Sequence, residues 1–276
     1  MIHDSCPLWY GVAMKLHAKK SLGQHFLNSE NVLRKIIAAA AIKEGEVVLE
    51  IGPGTGVLTR GLLKAGAKVI AIEKDHRAYV MLGLTFSSEI STGRLKLVEG
   101  DILDPDDIPA IPDSKYALVA NIPYYITGAI LKRFLEGSPR PNRMVLLVQK
   151  EVAERIVARD GKESILSISV KAFGRPKIIA AVPRGAFTPP PSVDSAILAI
   201  ADISDNRFRA SGVGIERFFT VLHAGFSHKR KLLARNLEEV MDKETVNRLW
   251  NELNLDPKVR AEDVPVETWF DIAKCA

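Results

Sequence analysis

Hydrophobic and polar positions follow two regimes along the chain, and the change comes near residue 201. Before it, continuous apolar runs alternate with stretches of helical period. "EVVLEIG", "AKVIAIE", "RLKLVEGD", "YALVAN" and "RMVLLVQK" read as strands. Between and after them, "GVLTRGLLKAG", "DHRAYVMLGLTF", "TGAILKRFLEG" and "KEVAERIVARD" read as helices, the first ending at Gly66. An earlier helix, capped by Asn28 or Ser29, presents Val32, Leu33, Ile36, Ile37 and Ala40 on one face. A further helix is expected near 163–173, and "PKIIAAV" with "SAILAI" reads as a closing pair of strands. Strands that are apolar throughout are buried on both faces. The alternation therefore predicts an α/β fold: a Rossmann-like, mostly parallel sheet with helices on both faces.

The stretch "ADISDNRFRASGVG" is polar and glycine-bearing, and after it only helical periodicity remains. "IERFFTVLHAGF", "KRKLLARNLEEV", "ETVNRLWNEL" and "VETWFDIAK" predict a small all-α C-terminal domain. The expected division is a loose extension over 1–14, an α/β domain over 15–203 and a helical domain over 204–276. Met14 is an alternative start.

Composition narrows the class. The 276 residues are 47% hydrophobic, which supports a true core, yet no apolar run reaches the roughly 18 residues of a membrane span. The N-terminus has no continuous apolar segment of the secretory kind. Cys6 and Cys275 stand at opposite ends, so neither a disulfide framework nor a metal cluster is expected, and a cytoplasmic protein is. The net charge of +5 is concentrated in two places. Lys15, Lys19, Lys20, Arg34 and Lys35 form one cluster. Arg207, Arg209, Arg217, Lys229, Arg230, Lys231 and Arg235 form the other. On charge alone, solvated surface and a divided footprint on a phosphate backbone are equal readings.

Strand ends carry the chemistry, because ligands of such sheets bind beyond the C-terminal ends of the strands. "LEIGPGTGVLTR" places Gly52, Gly54 and Gly56 between strand and helix, after the acidic Glu50. Glycines there allow a ligand to approach the backbone. The dinucleotide fingerprint requires G-x-x-G after the first G-x, and position 57 is Val. The G-x-G-x-G spacing resembles instead the first motif of class I S-adenosylmethionine-dependent methyltransferases. Glu73 ends the second strand, about 20 residues on, where a carboxylate can accept from ribose hydroxyls. Asp101 ends the third, placed to accept from an adenine amino group.

The fourth strand ends in Asn121-Ile122-Pro123-Tyr124. Pro123 cannot donate to a ladder, so the strand stops there. An exocyclic adenine nitrogen is a poor nucleophile because its lone pair is delocalised into the ring. The Asn121 side-chain oxygen and a neighbouring backbone carbonyl can hold its two N–H bonds and aim the lone pair at a methyl donor. Tyr124 offers a flat face to the base, worth roughly 1–3 kcal/mol of stacking. This order of motifs resembles amino-group methyltransferases acting on nucleobases.

Four segments make the resemblance specific: "KKSLGQHFLN", "NIPYYIT", "LLVQKEVAERI" and "AFTPPPSVDSAI", joined by "AGFSHKRKLLARNL" near the C-terminus. Together they resemble the ribosomal RNA adenine N6,N6-dimethyltransferase family over residues from about 15 to the end. The resemblance implies S-adenosylmethionine as donor, held by Gln24, His25, Leu27, Gly52, Gly54, Glu73, Asp101 and Asn121. It implies catalysis by Asn121, Pro123, Tyr124 and Phe187, with Tyr124 and Phe187 clamping the base. Lys19, Lys20, Lys229, Arg230 and Lys231 are the expected RNA contacts. The implied substrate is the 3′-terminal hairpin of small-subunit rRNA, within a pre-30S particle, with the protein acting as a monomer and serving ribosome assembly. His25 stands where many relatives have Asn. Ile122 stands where small-subunit enzymes more often have Leu, the Ile form being familiar from the sister family that methylates large-subunit rRNA and confers macrolide resistance. That sister activity is one alternative. The others are a catalytically idle assembly factor, a small-molecule methyltransferase and a nicotinamide dehydrogenase.

Overall fold

The computed structural model describes residues 16–108, 110–111 and 115–276, so the expected extension, Lys15 and Cys6 lie outside the described residues. A two-residue strand, β1 (Phe26–Leu27), precedes α1 (Glu30–Ala40). The Ser29 hydroxyl caps α1 by accepting from the Val32 N–H at 3.4 Å, and Val32, Ile36 and Ala40 turn its buried stripe inward. The chain then alternates through β2 (Val47–Ile51), α2 (Val57–Lys64), β3 (Lys68–Glu73), α3 (His76–Thr85), the short α4 (Ser87–Ser91) and β4 (Leu95–Glu99). It continues through β5 (Ala117–Asn121), α5 (Thr127–Glu136), β6 (Arg143–Gln149), α6 (Lys150–Val157) and α7 (Ile165–Phe173). β7 (Arg175–Val182), β8 (Phe187–Thr188) and β9 (Ser195–Ala201) complete the strands.

Seven strands form one sheet in the order β4-β3-β2-β5-β6-β9-β7. β2, β3, β4, β5 and β6 are mutually parallel, and the closing strands β9 and β7 are antiparallel. From β2 the chain runs outward to β3 and β4, then returns to lay β5 on the other side of β2. That reversal leaves a crevice between the C-terminal ends of β2 and β5, which is where such sheets take their ligands. Burial on both faces explains the continuous apolar runs: Val48, Leu49, Leu118, Val119, Leu146 and Leu198 are all fully covered. β1 and β8 pair separately, Phe26 with Thr188 and Leu27 with Phe187. This small ribbon is invisible to periodicity because two residues carry no period.

The polar stretch after β9 contains a helix of its own, α8 (Asn206–Ser211). Its Phe208 is buried 4.8 Å from Phe173 and 5.3 Å from Phe218, centroid to centroid, so one core passes from the sheet into the helical part. α9 (Ile215–Gly225), α10 (Leu233–Leu237), α11 (Lys243–Glu252) and α12 (Val266–Cys275) follow. The structure corrects one expectation here. "KRKLLARNLEEV" is helical only over Leu233–Leu237, and residues 229–231 form a turn. The Asn236 side chain donates from Nδ2 to the Gly225 and His228 carbonyls, at 2.7 and 3.2 Å, and so ties off the chain beyond α9. Leu233 N–H bonds to the Val259 carbonyl across the lobe rather than back along a helix. No helix among the described residues is long and apolar enough to cross a membrane.

Candidate active site

A cavity opens where the switch point predicts one. It is bordered by residues 22–27, the loop after β2, the ends of β3 and β4, and the turn after β5. Gln24, His25, Leu27, Gly52, Gly54, Glu73, Asp101, Asn121, Pro123 and Tyr124 all line it. Residues separated by nearly a hundred positions are thus brought to one place.

The glycine loop is held by a buried acid. Glu73 Oε2 accepts from the Gly54 N–H at 2.9 Å, and Oε1 accepts from the Asp75 N–H at 2.8 Å. Both bonds lower the pKa of Glu73, but burial outweighs them and leaves it raised. Gly54 has φ +56, and a Cβ there would sit 3.1 Å from the Phe26 ring. At Gly56, with φ +78, a Cβ would come within 2.6 Å of Phe86. Both positions therefore need glycine for conformation and for space.

Glu50 is a residue that the expected site omits. It is 0% exposed, it lines the cavity, and neither carboxyl oxygen makes a well-formed hydrogen bond among the described residues, Thr59 offering only weak ones. Burial, reinforced by the nearby Glu73 charge and eased by Thr59, pushes its pKa up to about 8. A buried carboxyl without well-formed hydrogen bonds beside a cavity suits a cationic ligand group. The signal that could have found it was the acid in "LEIGPGTG", two residues before the first glycine.

Asp75 is a second omission. It caps α3, and its side chain is wholly covered by Arg77, at 2.6 Å, and Gln24, at 3.1 Å. The Arg77 guanidinium holds its carboxyl well below the usual range. Gln24 in turn accepts from the Lys19 N–H at 2.8 Å. Asp75 therefore moors the segment before α1 over the cavity. Lys19 Nζ lies 3.6 Å from Asp75, so its charge faces a protein carboxylate. The Lys20 side chain lies outside the described residues.

At the tip of β5, Asn121 Nδ2 donates to the His25 carbonyl at 2.9 Å. With the amide nitrogen so engaged, the amide oxygen is the end left to accept. Tyr124 donates to or accepts from Ser195 Oγ at 2.6 Å, and burial raises its phenol pKa. The His25 ring stacks on Tyr124, 6.0 Å between centroids, and its Nδ1 donates to the Pro189 carbonyl at 2.8 Å. His25 thus bridges the first segment to the proline-rich loop, and its carbonyl and ring both touch the tip. Asp101 is ion-paired with Lys74 at 2.6 Å, which lowers its pKa, and it accepts from the Leu103 N–H.

Phe187 departs from the expectation. It is 2% exposed, sits in the core with Leu27 and Val182, and does not line the cavity. Pairing of β8 with β1 draws its side chain inward. The C-terminal basic cluster also divides. Arg207, Arg209 and Arg235 pair with Glu267, Asp205 and Glu238, and Arg217 donates to the Ala273 carbonyl. Lys229, Arg230 and Lys231 are exposed and have no acidic partner within 4 Å among the described residues.

Comparison with known proteins adds the lineage. Residues 15–276 match the family described as ribosomal RNA adenine dimethylase. A protein of Dehalococcoides mccartyi (strain CBDB1) named ribosomal RNA small subunit methyltransferase A is 43% identical over 258 residues, covering 92% of this chain and 87% of that protein. A protein of the same name from Thermosynechococcus vestitus is 39% identical, covering 94% and 97%. Among solved structures, a dimethyladenosine transferase from Plasmodium falciparum superposes with a TM-score of 0.75 at 28% identity, covering 90% of this chain and 96% of the other. The 23S rRNA methyltransferase ErmE superposes with a TM-score of 0.73 at 25% identity, covering 91% and 98%.

Proposed function

This chain belongs to the ribosomal RNA adenine dimethylase family, and from that premise we propose that it transfers two methyl groups from S-adenosylmethionine to N6 of adenines in the 3′-terminal hairpin of small-subunit rRNA. The single observation that carries the mechanism is the orientation of Asn121. Its nitrogen is occupied by the His25 carbonyl, so its oxygen is left to accept from an adenine amino group.

The residues present fit the donor. S-adenosylmethionine supplies an activated methyl on a sulfonium centre. The loop of Gly52 and Gly54 would admit it closely, Glu73 and Asp101 would accept from its ribose and adenine, and the buried Glu50 carboxyl would serve its cationic end. Segment 24–27, moored by Asp75, covers the same cavity. Asn121 and a carbonyl of the 122–123 turn hold the two amino hydrogens, which aims the nitrogen lone pair. Pro123 stiffens that turn and Tyr124 offers its ring to the base. After transfer the cationic nitrogen is strongly acidic, so water suffices to take the proton. Rate enhancement rests mainly on positioning. The exposed turn 229–231 contacts rRNA phosphates. The protein works as a cytoplasmic monomer on the pre-30S particle.

Small-subunit substrate is favoured over the large-subunit alternative by the two relatives at 43% and 39% identity, against 25% for the 23S rRNA enzyme. The test is transfer of tritiated methyl to small subunits lacking the modification, followed by nuclease mapping and nucleoside analysis. The parent should form dimethyladenosine in the 3′-terminal fragment. Asn121→Ala should lower the rate by at least about 100-fold while particle affinity stays within about two-fold, since phosphate contacts dominate binding. Full-rate dimethylation by the folded variant would remove Asn121 from the mechanism.

A further inference from the structure

A second cleft, of about 620 Å³, lies between α6 with the loop after it and the turn that follows α9. Its chemistry has three parts. Four exposed cations border it: Arg155 and Arg260, together with Lys229 and Lys231 of the turn. None of the four has an acidic partner within 4 Å among the described residues. Other cations in the lining are engaged: Arg159 pairs with Glu154, and Lys162 with Asp263. A flat apolar wall comes from Phe226, whose ring rests on Trp269 at 5.5 Å and borders the cleft. Two buried acceptors complete the lining. Asn236 is 1% exposed; its Nδ2 is committed to the Gly225 and His228 carbonyls, and its Oδ1 has no partner among the described residues. Glu163 Oε2 is likewise buried and unpartnered, while Oε1 is held by Lys171.

Cations for a phosphate, a ring for a π-face and orphaned acceptors for an amino group together describe a nucleotide. Buried acceptors without partners are rare in folded proteins and call for a ligand or water. Unstacked bases of single-stranded RNA are bound by this combination of aromatic stacking and edge hydrogen bonds. The location agrees. α6 starts at Lys150, directly after β6, whose neighbour β5 ends in Asn121. Arg155 lies five residues further, about 7.5 Å along the helix axis. The cleft and the catalytic tip are thus linked through the paired strands β5 and β6.

We propose that this cleft holds a second, unstacked nucleotide of the substrate RNA, one whose base carries an exocyclic amino group. The inference rests on the RNA substrate proposed above. It assigns to Phe226, Asn236 and Glu163 a base-binding role, and to Arg155 and Arg260 a phosphate-binding role, that the basic turn alone does not supply.

The experiment uses the full chain and small-subunit particles lacking the modification. Zero-length ultraviolet crosslinking with peptide mapping is run beside affinity measurements at fixed salt. The expected result is a nucleotide adduct on the peptide containing Phe226, lost in Phe226→Leu and kept in Phe226→Trp. Arg155→Gln combined with Arg260→Gln, both at exposed positions, should weaken binding by about ten-fold with unchanged donor affinity and melting temperature. Two results overturn the inference. One is adducts confined to Tyr124 and Tyr125 with affinity within two-fold. The other is weakened binding in the arginine variant but no adduct at Phe226, which would leave a phosphate contact alone. Methyl transfer by the parent to the same particles is scored separately. It tests the activity, the adduct map tests the cleft, and either can fail alone.

Discussion

The cavity at the β2–β5 crevice and the turn at 229–231 solve opposite problems. In the cavity, almost every polar group is tied to another. Glu73 spans two backbone N–H groups, Asp75 gathers Arg77 and Gln24, and Asn121 grips the His25 carbonyl. The turn carries three adjacent exposed cations, and its backbone is held by the Lys231 N–H bond to the His228 carbonyl at 3.0 Å and by Asn236 Nδ2 on the same carbonyl at 3.2 Å. A methyl transfer requires atoms placed to a fraction of an ångström, which demands a rigid, interlocked lining. Phosphate attraction acts over roughly 8–10 Å in ordinary salt and tolerates loose side chains. The two regions should therefore answer mutation differently: sharply and irreversibly in the cavity, gradually and salt-dependently at the turn.

The largest effect is expected from Gly54→Val. A β-branched side chain cannot easily adopt φ +56 and would collide with Phe26. Calorimetry should show loss of S-adenosylmethionine binding by at least about 100-fold, with rRNA affinity retained. Retained donor binding would mean that the loop is not the donor cradle.

Next comes Glu50→Gln, read by stability rather than activity. Burial pushes the carboxyl up to about 8 in the folded chain, against the ordinary glutamate value of 4.5 when unfolded. Between those values the folded state holds a proton that the unfolded state has lost. Glu50 is therefore tolerated at low pH, and its burial penalty grows as pH rises from about 5 to 8. Glu50→Gln should gain stability over the parent across that window, by up to about 4 kcal/mol at pH 8. Denaturant melts of the two proteins at pH 5 and pH 8 measure this. A pH-independent difference would show that Glu50 is charged throughout.

A smaller, graded effect is expected at the turn. Neutralising Lys229, Arg230 and Lys231 to Gln should reduce the slope of log affinity for rRNA against log salt by about 2, at 0.7–0.9 per lost contact. Donor affinity should not move. An unchanged slope would assign these cations to solvent.

The smallest effect belongs to Tyr124→Phe. It keeps the ring and loses the bond to Ser195, at about 1 kcal/mol of stability, and methylation should remain within about three-fold. A collapse of rate would show that the phenol itself takes part, and would move Tyr124 from a wall to a reacting group.

Order and type of the elements were legible in the chain because fully buried strands and amphipathic helices imprint periods on the sequence. Every strand of the large sheet, including the closing pair β7 and β9, follows from that pattern. The glycine loop, the acids at two strand ends and the Asn-x-Pro-Tyr tip were legible too, since local backbone demands select residue types. Four things belong to the tertiary structure. Phe187 is buried because β8 pairs with β1, 160 residues away in sequence, and no local signal reports that pairing. The helix expected from Lys229 onward starts only at Leu233, because the Asn236 side chain and the Val259 carbonyl take up backbone partners that a continuous helix would use. Glu50 and Asp75 are ordinary acids in one dimension. Burial beside the cavity leaves one without a well-formed hydrogen bond, and convergence of Gln24, Lys19 and Arg77 makes the other a mooring. The basic cluster reads as one patch along the chain, but folding brings acids or carbonyls to Arg207, Arg209, Arg217 and Arg235 and leaves the turn free. The physical reason is common to all four. Period and composition record how each residue meets water, whereas partner choice is decided by distant segments that meet only when the chain is folded.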